Sequence, residues 1–225
     1  MTLRVGFDMD GVLADFGATF RQIESDLFGP DIATGPRCSP EDEARTGSKT
    51  PVAAKEIDRR HRAVWKRIRS TEDFWTTLRP TDSDAVRRLN AQMLQYRWEV
   101  AFITQRPSTA GDTVQRQTQR WLVQHGFDMP SVVVIDGSRG AAANALRLTH
   151  HVDDTPRNCV DVKSDSTAMP ILIGADEAAA RQARKLGMGV ATSIGECLQL
   201  LERASDVVRQ PSAFRRLASL VGCGS

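Results

Sequence analysis

A chain of 225 residues has room for one full α/β domain and a smaller accessory domain, but not for two large ones. Its 40% hydrophobic and 26% charged content is that of an ordinary globular protein and excludes disorder over most of the length. The formal charge is only +2, so a polyanion partner would need a local basic patch rather than a basic chain.

Apolar alternation at Leu3, Val5 and Phe7 opens a strand over Leu3 to Asp8. No basic stretch followed by an apolar run precedes it, and no apolar stretch is long enough to span a membrane. A cytoplasmic protein with no membrane partner is expected. Cys38, Cys159, Cys197 and Cys223 are scattered without a Cys-x-x-Cys pair. That pattern argues against zinc and against a disulfide framework, and reduced thiols are the plain reading.

The first strand runs directly into Asp8-Met9-Asp10-Gly11. Two carboxylates two positions apart repel each other, so the place must hold a cation, a proton, or both. A phosphoryl-transfer site needs those same two things, a cation against phosphate and an acid for the leaving oxygen. Gly11 lets the backbone turn and present N–H groups to an anion. The ordinary alternative is an acidic turn with capping duties.

Residues 17–74 read as a small helical cap inserted after the first strand. Phe16, Phe20, Ile23 and Leu27 mark one amphipathic helix, and Ile57, His61, Val64, Trp65 and Ile68 another. Between them, Gly29 to Pro51 has Gly and Pro but no periodicity, and so reads as a long loop. The second helix also carries Arg59, Arg60, Arg62, Lys66, Arg67 and Arg69. Most such runs are solvated faces, and the functional reading is a phosphate-rich substrate or a nucleic-acid end. Trp65, on the apolar side, reads as core.

Beyond the cap, strands are expected at Val100 to Thr104, Ser131 to Ile135, His150 to Asp153 and Pro170 to Gly174. Helical spacing between them appears at Val86, Leu89, Met93 and Tyr96, at Thr118, Trp121, Leu122 and His125, and over Ala178 to Leu186. This alternation predicts an α/β fold with a doubly wound, mainly parallel sheet, whose ligands gather at the carboxyl ends of the strands. The expected organisation is a core of 1–16 and 75–205, the cap of 17–74, and a peripheral tail of 206–225. His150 and His151, lacking a third ligand at suitable spacing, read as strand histidines.

DMDGVLAD resembles the first motif of the haloacid dehalogenase superfamily, whose Rossmann-like core carries an optional cap after strand one. The resemblance implies Asp8 as nucleophile and Asp10 as general acid/base. An acid at the second position points to phosphatase chemistry rather than carbon–halogen chemistry or ion pumping. Thr104, closing a buried strand before Gln105-Arg106-Pro107, resembles the second motif, with Arg106 as a further phosphate-binding group. Arg139, in Gly137-Ser138-Arg139-Gly140, stands where the family's third motif usually has Lys, and an arginine keeps the charge but changes the geometry. Asp153 and Asp154 resemble the fourth motif. With Asp8 and Asp10 they imply a magnesium site, either acid of the pair being the direct ligand.

Within the superfamily, the cap placement and Phe74-Trp75-x-x-Leu78-x-Pro80 resemble the 5′(3′)-deoxyribonucleotidase branch. The resemblance implies a magnesium-dependent phosphomonoester hydrolase acting on a small phosphorylated substrate such as a nucleoside monophosphate. Two rivals stand beside it: a phosphatase of nucleic-acid ends, and a metal- and phosphate-binding protein without turnover.

Overall fold

The computed structural model describes residues 2–30 and 51–209. Most of the expected loop between the cap helices, the expected tail from 210 on, and Cys38 and Cys223 lie outside them. Among the described residues no helix is long and apolar enough to cross a membrane.

The chain forms a six-stranded parallel sheet with helices on both sides. Its strands are β1 (Arg4–Asp8), β2 (Glu99–Thr104), β3 (Val132–Val134), β4 (His150–Asp153), β5 (Met169–Ile173) and β6 (Gly189–Ala191), in the spatial order β3-β2-β1-β4-β5-β6. The doubly wound α/β class expected from the alternation is the one observed. β6 is an addition: three residues beginning at glycine leave too short a run to register as a strand in sequence.

By its internal contacts the chain divides into two compact units. One comprises the chain up to Gly6, Asp84–Ala101 and everything from Ser138 on; the other comprises Phe7–Ser83 and Phe102–Gly137.

In the first unit, β4 pairs with β5 so that Val152 faces Ile171 and Asp153 faces Leu172, and β5 pairs in turn with β6. Helices α3 (Ser83–Tyr96), α5 (Arg139–Ala145), α6 (Pro156–Asp165), α7 (Glu177–Lys185) and α8 (Ile194–Arg209) belong here, Ser83 of α3 excepted. Cys159, Leu172, Ala183 and Met188 close one cluster of this core. Cys197 is also buried, and burial pushes its thiol well above the usual range, which leaves it inert at neutral pH. Trp98 donates from Nε1 to Ser205 Oγ at 2.7 Å, so even the polar tip of this buried indole is satisfied.

In the second unit, β2 pairs with β3 so that Thr104 faces Val134. Helix α1 (Phe16–Phe28) starts where Asp15 accepts from the Ala18 N–H at 2.9 Å, and ends at Gly29 with φ 99°. It packs on α2 (Pro51–Ser70) through Phe16, Phe20, His61 and Trp65. A short 3-10 turn at Phe74–Thr76 returns the chain, and α4 (Val114–Gln124) buries Trp121, whose Nε1 donates to Leu78 O at 2.7 Å.

α5 and α6 approach closely at Gly140. A Cβ there would stand 2.3 Å from Asp161 O and 2.7 Å from Asp165 Cβ. Helix propensity alone would favour alanine by about 1 kcal/mol. Because the obstacle is backbone, Gly140→Ala should instead give a net loss of about 1–3 kcal/mol. Denaturant unfolding measures it, and an unchanged or raised midpoint would contradict the close approach.

Candidate active site

β1 ends on Asp8, which is only 5% exposed, and the chain turns at once. The N–H groups of Leu13 and Ala14 donate to Met9 O, and Gly11, with φ 82°, donates to Ala14 O at 2.9 Å. A side chain at Gly11 would be strained at that φ, so the glycine is what permits the turn. Asp10 therefore lies just past the strand, inside the turn.

Arg106 meets Asp10 as a fork. Nε donates to Oδ2 at 2.8 Å and Nη2 to Oδ1 at 2.7 Å, while Nη1 donates to Thr118 Oγ1 at 2.9 Å. The guanidinium also lies 4.7 Å over the Trp75 ring. Its side chain is fully buried, and that of Asp10 is 25% exposed. Arg106, read in sequence as a phosphate-binding group, thus donates to Asp10 and to Thr118. The planar fork matches a carboxylate in two parallel bonds, and its low hydration suits an aromatic face.

The supports of Arg106 are themselves held. Trp75 N donates to Gln117 Oε1 at 3.0 Å, Trp75 Nε1 donates to Pro107 O at 3.1 Å, and the Thr118 hydroxyl donates to Val114 O at 2.8 Å. Buried Gln117 is a further member of this network, missed in sequence because an amide on a helix reads as surface.

Thr104 closes β2 with its side chain buried at 1% exposure. Its backbone oxygen accepts from Ile135 N, but its hydroxyl meets no hydrogen-bond partner among the described residues. Buried polar groups are nearly always paired, so this one calls for a cause.

The remaining expected residues lie in the other unit. Arg139 begins α5, buried, with Nε 3.5 Å from Asp153 Oδ2. Ser138 caps that helix by accepting from Ala141 N, and it donates to Asp161 Oδ2 at 2.8 Å. Asp153 is fully buried and gripped from several directions. It accepts from Thr155 N at 2.9 Å and from Asn158 Nδ2 at 3.0 and 3.1 Å, and His151 Nε2 lies at 3.2 Å.

Asp154 is half-buried and accepts from the Thr155 hydroxyl at 3.3 Å. Asn158 was missed in sequence, although its place in the first turn of α6 brings it back to the strand end. His150 sits 3.1 Å from Thr149 Oγ1, and burial pushes its pKa below the ordinary histidine value.

Among the described residues no group of three or more His, Cys, Asp and Glu side chains gathers to hold a metal ion. The donors on offer are carboxylate and carbonyl oxygens, a set suited to a hard cation. Magnesium fits such a set, because it takes one or two carboxylates and fills its octahedron with waters and substrate phosphate oxygens.

Removing one partner of a fully buried pair costs about 3–5 kcal/mol, but Asp10, 25% exposed, keeps part of its hydration. Arg106→Ala should therefore destabilise the fold by about 1–3 kcal/mol. Arg106→Lys should recover only part, since an ammonium cannot form the fork. Urea unfolding of both variants tests this; parental stability in Arg106→Ala would show that the pair contributes nothing.

No protein-family model matches the chain, and no curated protein matches it. Solved structures do. A protein described as a β-phosphoglucomutase from Thermotoga maritima aligns over 90% of this chain and 99% of its own, with a TM-score of 0.55 and 16% identity. A haloacid dehalogenase-like family hydrolase from Streptococcus pneumoniae aligns over 89% and 98%, with a TM-score of 0.53 and 13% identity. A hydrolase from Pseudomonas syringae aligns over 90% and 99%, with a TM-score of 0.52 and 14% identity. At these identities the likeness is one of architecture, and it is to haloacid dehalogenase-like hydrolases that the fold of this chain corresponds.

Proposed function

We propose that the chain is a magnesium-dependent phosphomonoester hydrolase that works through an aspartyl-phosphate on Asp8. The observation that carries this reading is the buried Thr104 hydroxyl with no partner among the described residues. Leaving such a group unpaired costs about 1–3 kcal/mol, a cost explained if the missing oxygen arrives with the substrate. Thr104 stands at the carboxyl end of a strand, as Asp8 does, and ligands of open parallel sheets gather at those ends. The architecture shared with hydrolases supports the same class.

In the first step an Asp8 oxygen forms a bond to phosphorus as the bond to the leaving oxygen breaks, and Asp10 gives that oxygen a proton. In the second step a water oxygen bonds to phosphorus, the Asp8–phosphorus bond breaks, and the water's proton passes to Asp10. Thr104 donates to a phosphoryl oxygen, and Arg139 screens the phosphoryl charge from the incoming carboxylate. Arg106 acts through Asp10 by fixing where its carboxyl group stands. A protonated carboxyl cannot accept both arms of the fork, so one arm lets go while Asp10 carries the proton.

Asp8, the Asp10 backbone carbonyl and Asp154 are the groups that would hold magnesium, whose role is to neutralise charge on the phosphoryl oxygens. Asp154 is preferred to Asp153 as ligand, because Asp153 already serves Thr155, Asn158 and Arg139. Helices α1 and α2 act as the cap. Phe74 and Trp75, which resemble a nucleotidase return, are buried, and Trp75 lies beneath Arg106. Neither ring offers a base a free face, so nucleoside monophosphates stand as one candidate class among small phosphomonoesters.

Thr104→Val removes the hydroxyl at nearly constant volume. Stability should hold or rise, while kcat against an aryl phosphate should fall by about a hundredfold. Unchanged turnover would remove Thr104 from the site. The hydrolase reading itself is tested by Asp8→Asn, which should reduce turnover by several orders of magnitude in a folded protein. Chelation should abolish activity, magnesium should restore it, and Asp154→Asn should raise the magnesium requirement. Undiminished rates in metal-free or Asp8→Asn protein would overturn the mechanism.

A further inference from the structure

The cations of α2 are not equivalent. Arg59 and Arg60 both bind Glu56, at 2.8 and 2.9 Å, and hold its carboxyl down at about 2; both guanidinium groups also lie over Phe28. Arg62, Lys66 and Arg69 differ. Spaced by four and then three residues, they stand one per turn along one face. All three are exposed, and among the described residues none meets an acidic side chain.

Trp65 lies in the same stretch, half-buried, its ring 5.5 Å from that of Phe16 and 5.9 Å from that of Phe20. Together with Arg62, Lys66, Arg69 and Ser70 it lines an open groove of about 570 Å³. Two ordinary explanations fall short. The helix dipole favours cations in the last turn, which covers Arg69 but not Arg62 and Lys66 in mid-helix. A merely solvated face explains charge, but not an aromatic ring opening onto the same groove.

We infer that this groove binds single-stranded nucleic acid, its phosphates along Arg62, Lys66 and Arg69 and a base against Trp65. Sequence-tolerant strand binding combines those two elements, a row of cations and an aromatic platform. From Arg62 to Arg69 the helix rises about 10 Å, more than one phosphate group occupies and enough for consecutive phosphates of a chain. The chain's small net charge does not oppose this, because the basic row is local. The inference stands apart from the phosphatase reading, since binding needs no turnover. If both hold, the hydrolysed group is a strand's terminal phosphate.

The test is fluorescence anisotropy of a labelled short oligo(dT) with the full chain, at about 50 mM and about 200 mM salt. Binding should weaken as salt rises. Changing Arg62, Lys66 and Arg69 together to Ala should weaken binding about tenfold or more and lower the salt slope by about 2. Changing Arg181, Arg184 and Lys185 on α7 to Ala removes the same charge and should leave binding as it was. Oligo(dT) should also quench tryptophan fluorescence, and Trp65→Phe, which keeps a ring against Phe16 and Phe20, should lose most of that quench. Any of four results overturns the inference: no binding at low salt, equal weakening by both triple changes, a quench unaffected by Trp65→Phe, or inorganic tripolyphosphate displacing oligo(dT) as well as unlabelled strand does at equal phosphate. Loss of turnover with this binding intact would count against the hydrolase reading alone.

Discussion

The pairing of Arg106 with Asp10 is the constraint around which the second unit is organised. Two charges taken out of water cost several kcal/mol each unless every donor and acceptor is answered. Here the answers come from distant places: the turn after β1, the loop after β2, the 3-10 return and the inner face of α4. Thr118 takes the third arm, Trp75 covers the flat face, and Gln117 with Pro107 holds the indole in place. Thr118, Trp75 and Gln117 are all buried around the pair. Apolar residues in place of a buried ion pair are often as stable or more so, so what this pairing supplies is a fixed position for Asp10.

The other unit repeats the logic around a different acid. Asp153 is surrounded by a backbone N–H, the amide of Asn158, the imidazole of His151 and the guanidinium of Arg139. Its neighbour Asp154 remains partly exposed. In each pair of acids, then, one member is fixed by several neighbours at a strand's carboxyl end. Such fixing is what electrostatic preorganisation requires: charges standing in place before the reaction rather than moving during it.

The sequence made some of this legible and hid the rest for a physical reason. Strand ends were readable where the alternation of Leu3, Val5 and Phe7 stops at Asp8 and where the apolar run Val100 to Ile103 stops at Thr104. The acids were readable because adjacent like charges in a strand end demand a cause. The partner of Arg106 was not, since Asp10 lies 96 residues away and pairing at that range leaves no local periodicity. Asn158 and Gln117 were hidden differently: an amide on a helix reads as surface until tertiary structure turns its face inward. β6 was lost to brevity, and Phe74 and Trp75 were legible as apolar but not as a platform for a guanidinium.

The Thr104 hydroxyl, which meets no partner among the described residues, has a consequence for handling the protein as a material. A ligand that binds the folded chain stabilises it by RT ln(1 + [L]/Kd), about 2.7 kcal/mol at a hundredfold excess over Kd. The melting temperature of the chain is then a chemical sensor. Any compound that binds the folded chain raises it according to its affinity; one whose oxygen meets Thr104 should lose part of that rise in Thr104→Val, whereas one that docks elsewhere should shift both proteins equally. A library of phosphate esters can be ranked this way with neither a chromogenic leaving group nor any turnover.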